Sequence, residues 1–154
     1  HPTTHLCLRW LDKQDLTGQT VIDYGCGSGI LGIAALLLGA EKVIAVDNDP
    51  QALLATRDNA ERNNIAAERI STYLPEDLPE DVIGQTMLAN ILAAPLIELA
   101  PKLIALTASN GLICLSGLLE HQIAAVSQPY LANFRFDDAA IDSEWAQLAA
   151  RKTA

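Results

Sequence analysis

Val21-Ile22-Asp23-Tyr24-Gly25-Cys26-Gly27-Ser28-Gly29 is an apolar run that ends in an acid and continues into three alternate glycines. Val21 and Ile22 favour a strand, whereas Ile30, Leu31, Ile33, Ala34, Leu37 and Leu38 recur at helical spacing, so the glycines occupy a strand-to-helix turn. Turns of this kind, at the edge of a parallel sheet, are where α/β folds bind nucleotides. Glycine permits positive φ there and, having no Cβ, lets a ligand lie against the main chain. A second apolar run, Lys42-Val43-Ile44-Ala45-Val46, closes on Asp47, where a carboxylate can hold both hydroxyls of a ribose.

The register of the glycines separates two nucleoside cofactors. A dinucleotide fingerprint G-x-G-x-x-G needs a glycine where the chain has Ile30; the sequence instead reads G-x-G-x-G, with Gly32 beyond it. Asp23 ahead of the loop repels a pyrophosphate but can accept a hydrogen bond from an ammonium group. Both features point to S-adenosylmethionine rather than NAD. Gly25, Gly27, Gly29, Asp23 and Asp47 are the candidate binding residues. Each piece has a plainer reading: the glycines as tight packing, and Asp47-Asn48-Asp49-Pro50 as a helix cap.

At 154 residues the chain fits one domain with a core of useful size. Half its residues are hydrophobic and only 5% aromatic, which suits parallel strands covered by helices on both faces. A net charge of -9 disfavours direct nucleic-acid binding, because the ten Lys and Arg residues are scattered. A basic protein is the more natural partner. Cys7, Cys26 and Cys114 lack metal-ligand or CxxC spacing and read as small buried residues in a reduced, cytoplasmic setting, with no metal site expected. No apolar stretch is long enough to span a bilayer.

Along the chain, a helix over 4–11 precedes β-α repeats: strand 20–24 and helix 29–39, then strand 42–47 and helix 50–63. A third strand over 69–73 leads into an acidic, Pro-containing surface loop over 74–81. Then come a fourth strand over 85–91, a helix over 96–107 begun after Pro95, and a fifth strand over 111–116 after an Asn-Gly turn. A helical stretch over 120–126 and a β-hairpin, Phe134-Arg135-Phe136 with Trp145 to Arg151, complete a seven-stranded sheet. Trp10 and Trp145 read as core, and His5 and His121 as ordinary surface or core histidines.

His1-Pro2-Thr3-Thr4, the glycine segment through Leu31, Arg57-Asp58-Asn59-Ala60 and Ala89-Asn90-Ile91-Leu92-Ala93 together resemble the PrmA family, the ribosomal protein L11 methyltransferases. The resemblance implies a Rossmann-like class I methyltransferase fold, doubly wound and mostly parallel, with a C-terminal antiparallel hairpin. It implies S-adenosylmethionine as cofactor, S-adenosylhomocysteine as product, and trimethylation of lysine and N-terminal amines of a large-subunit ribosomal protein. It also implies that Thr4, Gly25, Asp47 and Asn90 contact the cofactor or frame its pocket. A separate N-terminal domain that recognises the substrate is expected to lie ahead of residues 1–154, which form the methyltransferase domain.

Methyl transfer from a sulfonium is an in-line displacement, so holding the amine in place is the main task. Presenting a neutral lysine at pH 7 costs roughly 4–5 kcal/mol from its reference pKa. Two positive charges about 4 Å apart repel by roughly 4 kcal/mol at an effective dielectric near 20, so the sulfonium itself disfavours the protonated amine. Asn90 is the candidate catalytic residue, its side-chain carbonyl orienting the N–H groups together with a main-chain carbonyl of Ile91 or Leu92. Asn90 alternatively caps the following helix, and Thr4 the first. Aliphatic residues after Asn90, where nucleobase enzymes often carry a stacking aromatic, favour an aliphatic amine. Other readings are a class I methyltransferase for a small molecule or nucleic acid, and a non-catalytic cofactor-binding module.

Overall fold

The computed structural model describes residues 1–153. Successive residues of the central strands point to opposite faces, and both faces are apolar. Val21, Val43, Leu88 and Cys114 join one buried cluster with Leu11, Leu31 and Leu53. Ile22, Ile44, Met87 and Ile113 join another with Leu96, Leu103 and Tyr130. Each fully buried aliphatic side chain contributes about 1.5–3 kcal/mol, so strands apolar on both faces are stable only between two helical layers.

The helices supply those layers. Helices α1 (Pro2–Asp12), α2 (Ile30–Leu37) and α3 (Pro50–Arg62) cover one face; α4 (Ala93–Glu98), α5 (Ala100–Leu106) and α6 (Ile123–Ser127) cover the other. Strands β1 (Thr20–Tyr24), β2 (Lys42–Val46), β3 (Ile70–Tyr73), β4 (Gly84–Asn90) and β5 (Thr107–Leu119) run parallel, in the order β3-β2-β1-β4-β5. The order reverses between β1 and β4, which opens a crevice at the carboxyl ends of these strands. The architecture is the doubly wound, Rossmann-like α/β sheet expected from the sequence.

The C-terminal part departs from the expected seven strands. Strand β8 (Trp145–Lys152) pairs antiparallel with β5 on one edge, while its other edge is shared by β6 (Phe134–Phe136) and β7 (Ala140–Asp142). Phe136 faces Ala150 and Ala140 faces Gln147, so the register slips by one residue across the interruption at 137–139. The tight turn is at Ser143-Glu144, with Ser143 at φ 59, and it joins β7 to β8 rather than β6 to β8. Eight strands therefore fill seven positions.

Two other expectations shift for local reasons. The helix expected over 96–107 starts at Ala93, with Pro95 tolerated in its first turn, and breaks at Leu99 because Pro101 cannot donate to the ladder. The acidic segment 74–81 is not wholly a solvated loop. It forms a 3-10 turn over Pro75–Asp77, and Leu78 is buried in the core of the α4–α6 face.

Candidate functional site

The glycine turn is built by the strand that feeds it. Gly25 and Cys26 both donate their N–H to the Val46 carbonyl, at 2.7 and 3.0 Å, so the end of β1 is folded onto the end of β2. Gly25, Gly27 and Gly29 have φ of 85, 55 and 86°, a run that side-chain-bearing residues rarely adopt. A Cβ placed at Gly27 meets nothing within 4 Å, so this stretch of main chain borders open space.

Asp47 fastens the loop from the next strand. Its Oδ2 accepts the Gly27 N–H at 3.0 Å, and its Oδ1 accepts the Asp49 N–H at 3.0 Å. Each oxygen keeps a lone pair. Helix α3 has its own cap, since Asp49 accepts from the Gln51 N–H and Pro50 fills the first turn. Asp47 is thus not the helix cap that the plainer reading allowed.

Beside the loop lies a cleft of about 330 Å³ lined by Tyr24, Gly25, Asp47, Asn48, Pro75, Ile91, Pro95 and Leu99. That volume falls in the ~300–1,000 Å³ range of small-molecule sites. The lining comes from the residues that follow β1, β2, β3 and β4, so the cleft sits at the switch point of the sheet.

The expected site residues are not all gathered in one place. Gly25 and Asp47 line the cleft, with Gly27 tied to Asp47 at its margin. Asp23 lies beneath the loop, 1% exposed, its Oδ2 accepting the Gly32 N–H at 3.1 Å. Burial pushes its carboxyl up to about 7. Gly29 faces α3, where an added Cβ would stand 2.8 Å from a Thr56 methyl. Thr4 lines a separate hollow with His1, Pro2, His5, Leu8 and Asp142.

Asn90 ends β4, half-buried, directly before the cleft residue Ile91. Helix α4 is capped at Leu92 and α1 at His1, whose ring accepts the Thr3 N–H. Neither Asn90 nor Thr4 is a helix cap. Ser116 connects the two segments: its carbonyl accepts the Ile91 N–H at 3.0 Å, and its hydroxyl donates to the Thr3 carbonyl at 3.4 Å.

Several residues escaped the sequence reading. Tyr24, Pro75 and Leu99 line the cleft; Pro75 and Leu99 stand in no chemical motif, and Tyr24, inside the glycine segment, was given no role of its own. Gly117, at φ 94, lets the Ile91 main chain pass so closely that an added Cβ would lie 2.2 Å from its carbonyl oxygen. A lone glycine late in a strand was the available signal, because it marks a bulge or a close backbone approach. The pairing of β5 with β8 does slip there, between Ser116 and Leu118. The cysteines are free and buried as expected. The tryptophans are less buried than expected: Trp10 is half-buried against the core, and Trp145 stands edge-on to His1 with ring centroids 5.1 Å apart.

The sequence profile of the ribosomal protein L11 methyltransferase (PrmA) family matches residues 1–153. The chain belongs to that family. Curated relatives named ribosomal protein L11 methyltransferase, from Escherichia coli O1:K1 / APEC and Shigella boydii serotype 18, are each 54% identical over 152 residues, covering 99% of this chain and 52% of their own. The chain therefore spans about half the length of the curated family members it matches.

Among solved structures, a ribosomal protein L11 methylase from Lactobacillus delbrueckii subsp. bulgaricus superposes with a TM-score of 0.91 at 31% identity, covering 100% of this chain and 80% of that one. A more distant likeness is to a protein complexed with SAH, at TM-score 0.78 and 11% identity, over 98% of this chain and 50% of that one. At that distance the likeness is one of fold. No helix among the described residues is long and apolar enough to cross a membrane.

Proposed function

We propose that this domain is the catalytic part of an S-adenosylmethionine-dependent N-methyltransferase, and that the protein carrying it methylates lysine and N-terminal amines of ribosomal protein L11. The observation that carries the reading is the switch-point cleft, which Gly25 and Asp47 line together with Ile91, the residue after Asn90, whose side chain packs against Gly25. The family match supports reading that cleft as the cofactor site.

The residues fit the cofactor. The open main chain at Gly27 admits a ligand against the backbone, and the lone pairs left on Asp47 suit the two hydroxyls of a ribose. When bound, S-adenosylmethionine supplies a methyl carbon activated by its sulfonium. Leu99, Pro95 and Ile91 give the cleft an apolar side that excludes water. Asp23 anchors the helix that follows the loop through Gly32, and Thr4 stands in a neighbouring hollow, on a helix tied to the Asn90 segment by Ser116, which donates to the Thr3 carbonyl.

Asn90 acts by placement. No side-chain hydrogen bond among the described residues engages its amide, so the carbonyl oxygen can accept an N–H of an incoming amine while the lone pair faces the methyl. Aliphatic Ile91, Leu92 and Ala93 suit a lysine stem. A ribosomal substrate sets the work in the cytoplasm, and net charge -9 suits a basic partner. Substrate recognition is proposed to fall to the part of the relatives' length that residues 1–154 do not match.

The test is transfer of radiolabelled methyl by the intact protein to purified L11, to ribosomal RNA and to a metabolite extract. Label on L11 amines, abolished by Asp47→Ala, is the expected result. Label on RNA or metabolites alone would replace this reading with a different methyltransferase.

A further inference from the structure

The glycine loop is gripped from behind. Thr56, fully buried on α3, donates its hydroxyl to the Gly27 carbonyl at 3.1 Å, and Asn59 donates its side-chain amide to the Ser28 carbonyl at 2.9 Å. The two stand three residues apart, on one face of the helix. Cys26 Sγ also meets Thr56 Oγ1, at 3.3 Å. Burial pushes the Cys26 thiol up to about 11, so it keeps its proton; because the one hydroxyl proton of Thr56 is taken by the Gly27 carbonyl 3.1 Å away, which can only accept, the thiol is the donor of this pair. Donation thus runs from Cys26 through Thr56 and returns to the loop one residue further on.

The geometry leaves the loop little freedom. The N–H of Gly27 is held by Asp47 and its carbonyl by Thr56, so rotation about Gly27 breaks one bond or the other. The space a Cβ would need at Gly29 is filled by Thr56, whose methyl and hydroxyl would stand 2.8 and 2.9 Å from it. Glycine is otherwise the residue that loses most conformational freedom on ordering, and three of them stand in this turn.

We propose that Thr56 and Asn59 are positioning residues for cofactor binding: without touching the nucleoside, they hold the carbonyls of Gly27 and Ser28 against α3 and so keep the opposite side of the loop in its binding shape. The proposal rests on the reading that the cleft binds S-adenosylmethionine. A loop ordered in advance binds more tightly because ligand binding then bears less of the ordering cost. The Arg57-Asp58-Asn59-Ala60 segment acquires a physical purpose, with Asn59 as its working side chain.

The experiment is calorimetry of the intact protein with S-adenosylhomocysteine, paired with steady-state methyl transfer. Thr56→Val keeps the volume and drops the hydroxyl; it is expected to weaken S-adenosylhomocysteine about tenfold, and Asn59→Ala about threefold. The KM for S-adenosylmethionine rises by similar factors, while the KM for the protein substrate stays fixed. Thr56→Ser keeps the donor and is expected to bind within about twofold of the parent. Equal losses in Thr56→Val and Thr56→Ser would make Thr56 a space-filler and overturn the proposal. So would parental affinity in Thr56→Val and Asn59→Ala while Asp47→Ala loses binding. If Thr56→Val does not fold, parental affinity in Asn59→Ala overturns it. A parent protein that binds no S-adenosylhomocysteine overturns the underlying reading instead.

Discussion

Gly117→Ala isolates the contact that sets the position of Asn90. The parent glycine has φ 94, and an added Cβ would lie 2.2 Å from the Ile91 carbonyl oxygen and 2.8 Å from its carbonyl carbon. Ordinary contacts are ~3.5 Å or longer, so the Ile91 main chain must retreat by about 1 Å. It is bonded to Ser116 through its N–H and follows Asn90 directly, so the Asn90 amide moves with it. Strain at positive φ and overpacking together are expected to lower stability by about 2–4 kcal/mol. A 1 Å misplacement is expected to lower kcat by about 100-fold. Urea unfolding of the intact protein measures the first and radiolabelled methyl transfer to L11 the second. Calorimetry with S-adenosylhomocysteine should show less than about tenfold loss, since Asp47 and Gly27 are untouched. A folded variant with parental kcat would refute the claim that this close approach sets Asn90.

Asn90→Ala is expected to reduce kcat by about 100-fold with little change in S-adenosylhomocysteine affinity, read by the same two assays; an affinity loss with parental kcat would make Asn90 a binding residue only. Asp23 gives a pH signature. Its folded pKa, about 7, lies above the ordinary carboxylate value, so the native state binds more protons than the unfolded chain between about pH 4 and 7, and stability is lost as pH rises through that window. Asp23→Asn cannot titrate there, so the parent should lose several kcal/mol relative to it from pH 4 to 7 in urea unfolding; parallel profiles would contradict a carboxyl whose burial outweighs its one hydrogen bond from Gly32. The polypeptide of residues 1–154 is expected to bind S-adenosylmethionine calorimetrically yet methylate L11 weakly, and full activity would remove the need for a separate recognition domain.

Where the expected elements held, the signals were local. The glycine turn, the β1 and β2 strands that end at Tyr24 and Val46, and the Asp49-Pro50 start of α3 each follow from neighbouring residues: φ preference, apolar runs and capping. The break between α4 and α5 was also locally encoded by Pro101, a signal passed over in favour of a longer apolar pattern. What failed depended on strand pairing rather than on the segment's own residues. Whether 140–142 is a strand is decided by the free edge of β8, not by Ala140-Ile141-Asp142 itself. Likewise, β5 extends to thirteen residues because β4 and β8 flank it on both sides.

The sequence by itself determined the class of fold, the chemical type of the ligand and the family, because these rest on residue types at fixed short spacings: glycines after a strand, an acid after the next, Asn90 after the fourth. Only the tertiary structure decided which of those residues share a cleft. It sent Gly25 and Asp47 into the cavity, Asp23 beneath the loop and Thr4 to a neighbouring hollow. It also disclosed the contacts of Thr56, Asn59, Ser116 and Gly117, none of which lines that cleft. The physical reason is that a hydrogen bond between α3 and the glycine loop, or a close approach of β5 to Ile91, joins segments roughly thirty residues apart. No periodicity in the chain records such a meeting; it exists only once the sheet has brought the strand ends together.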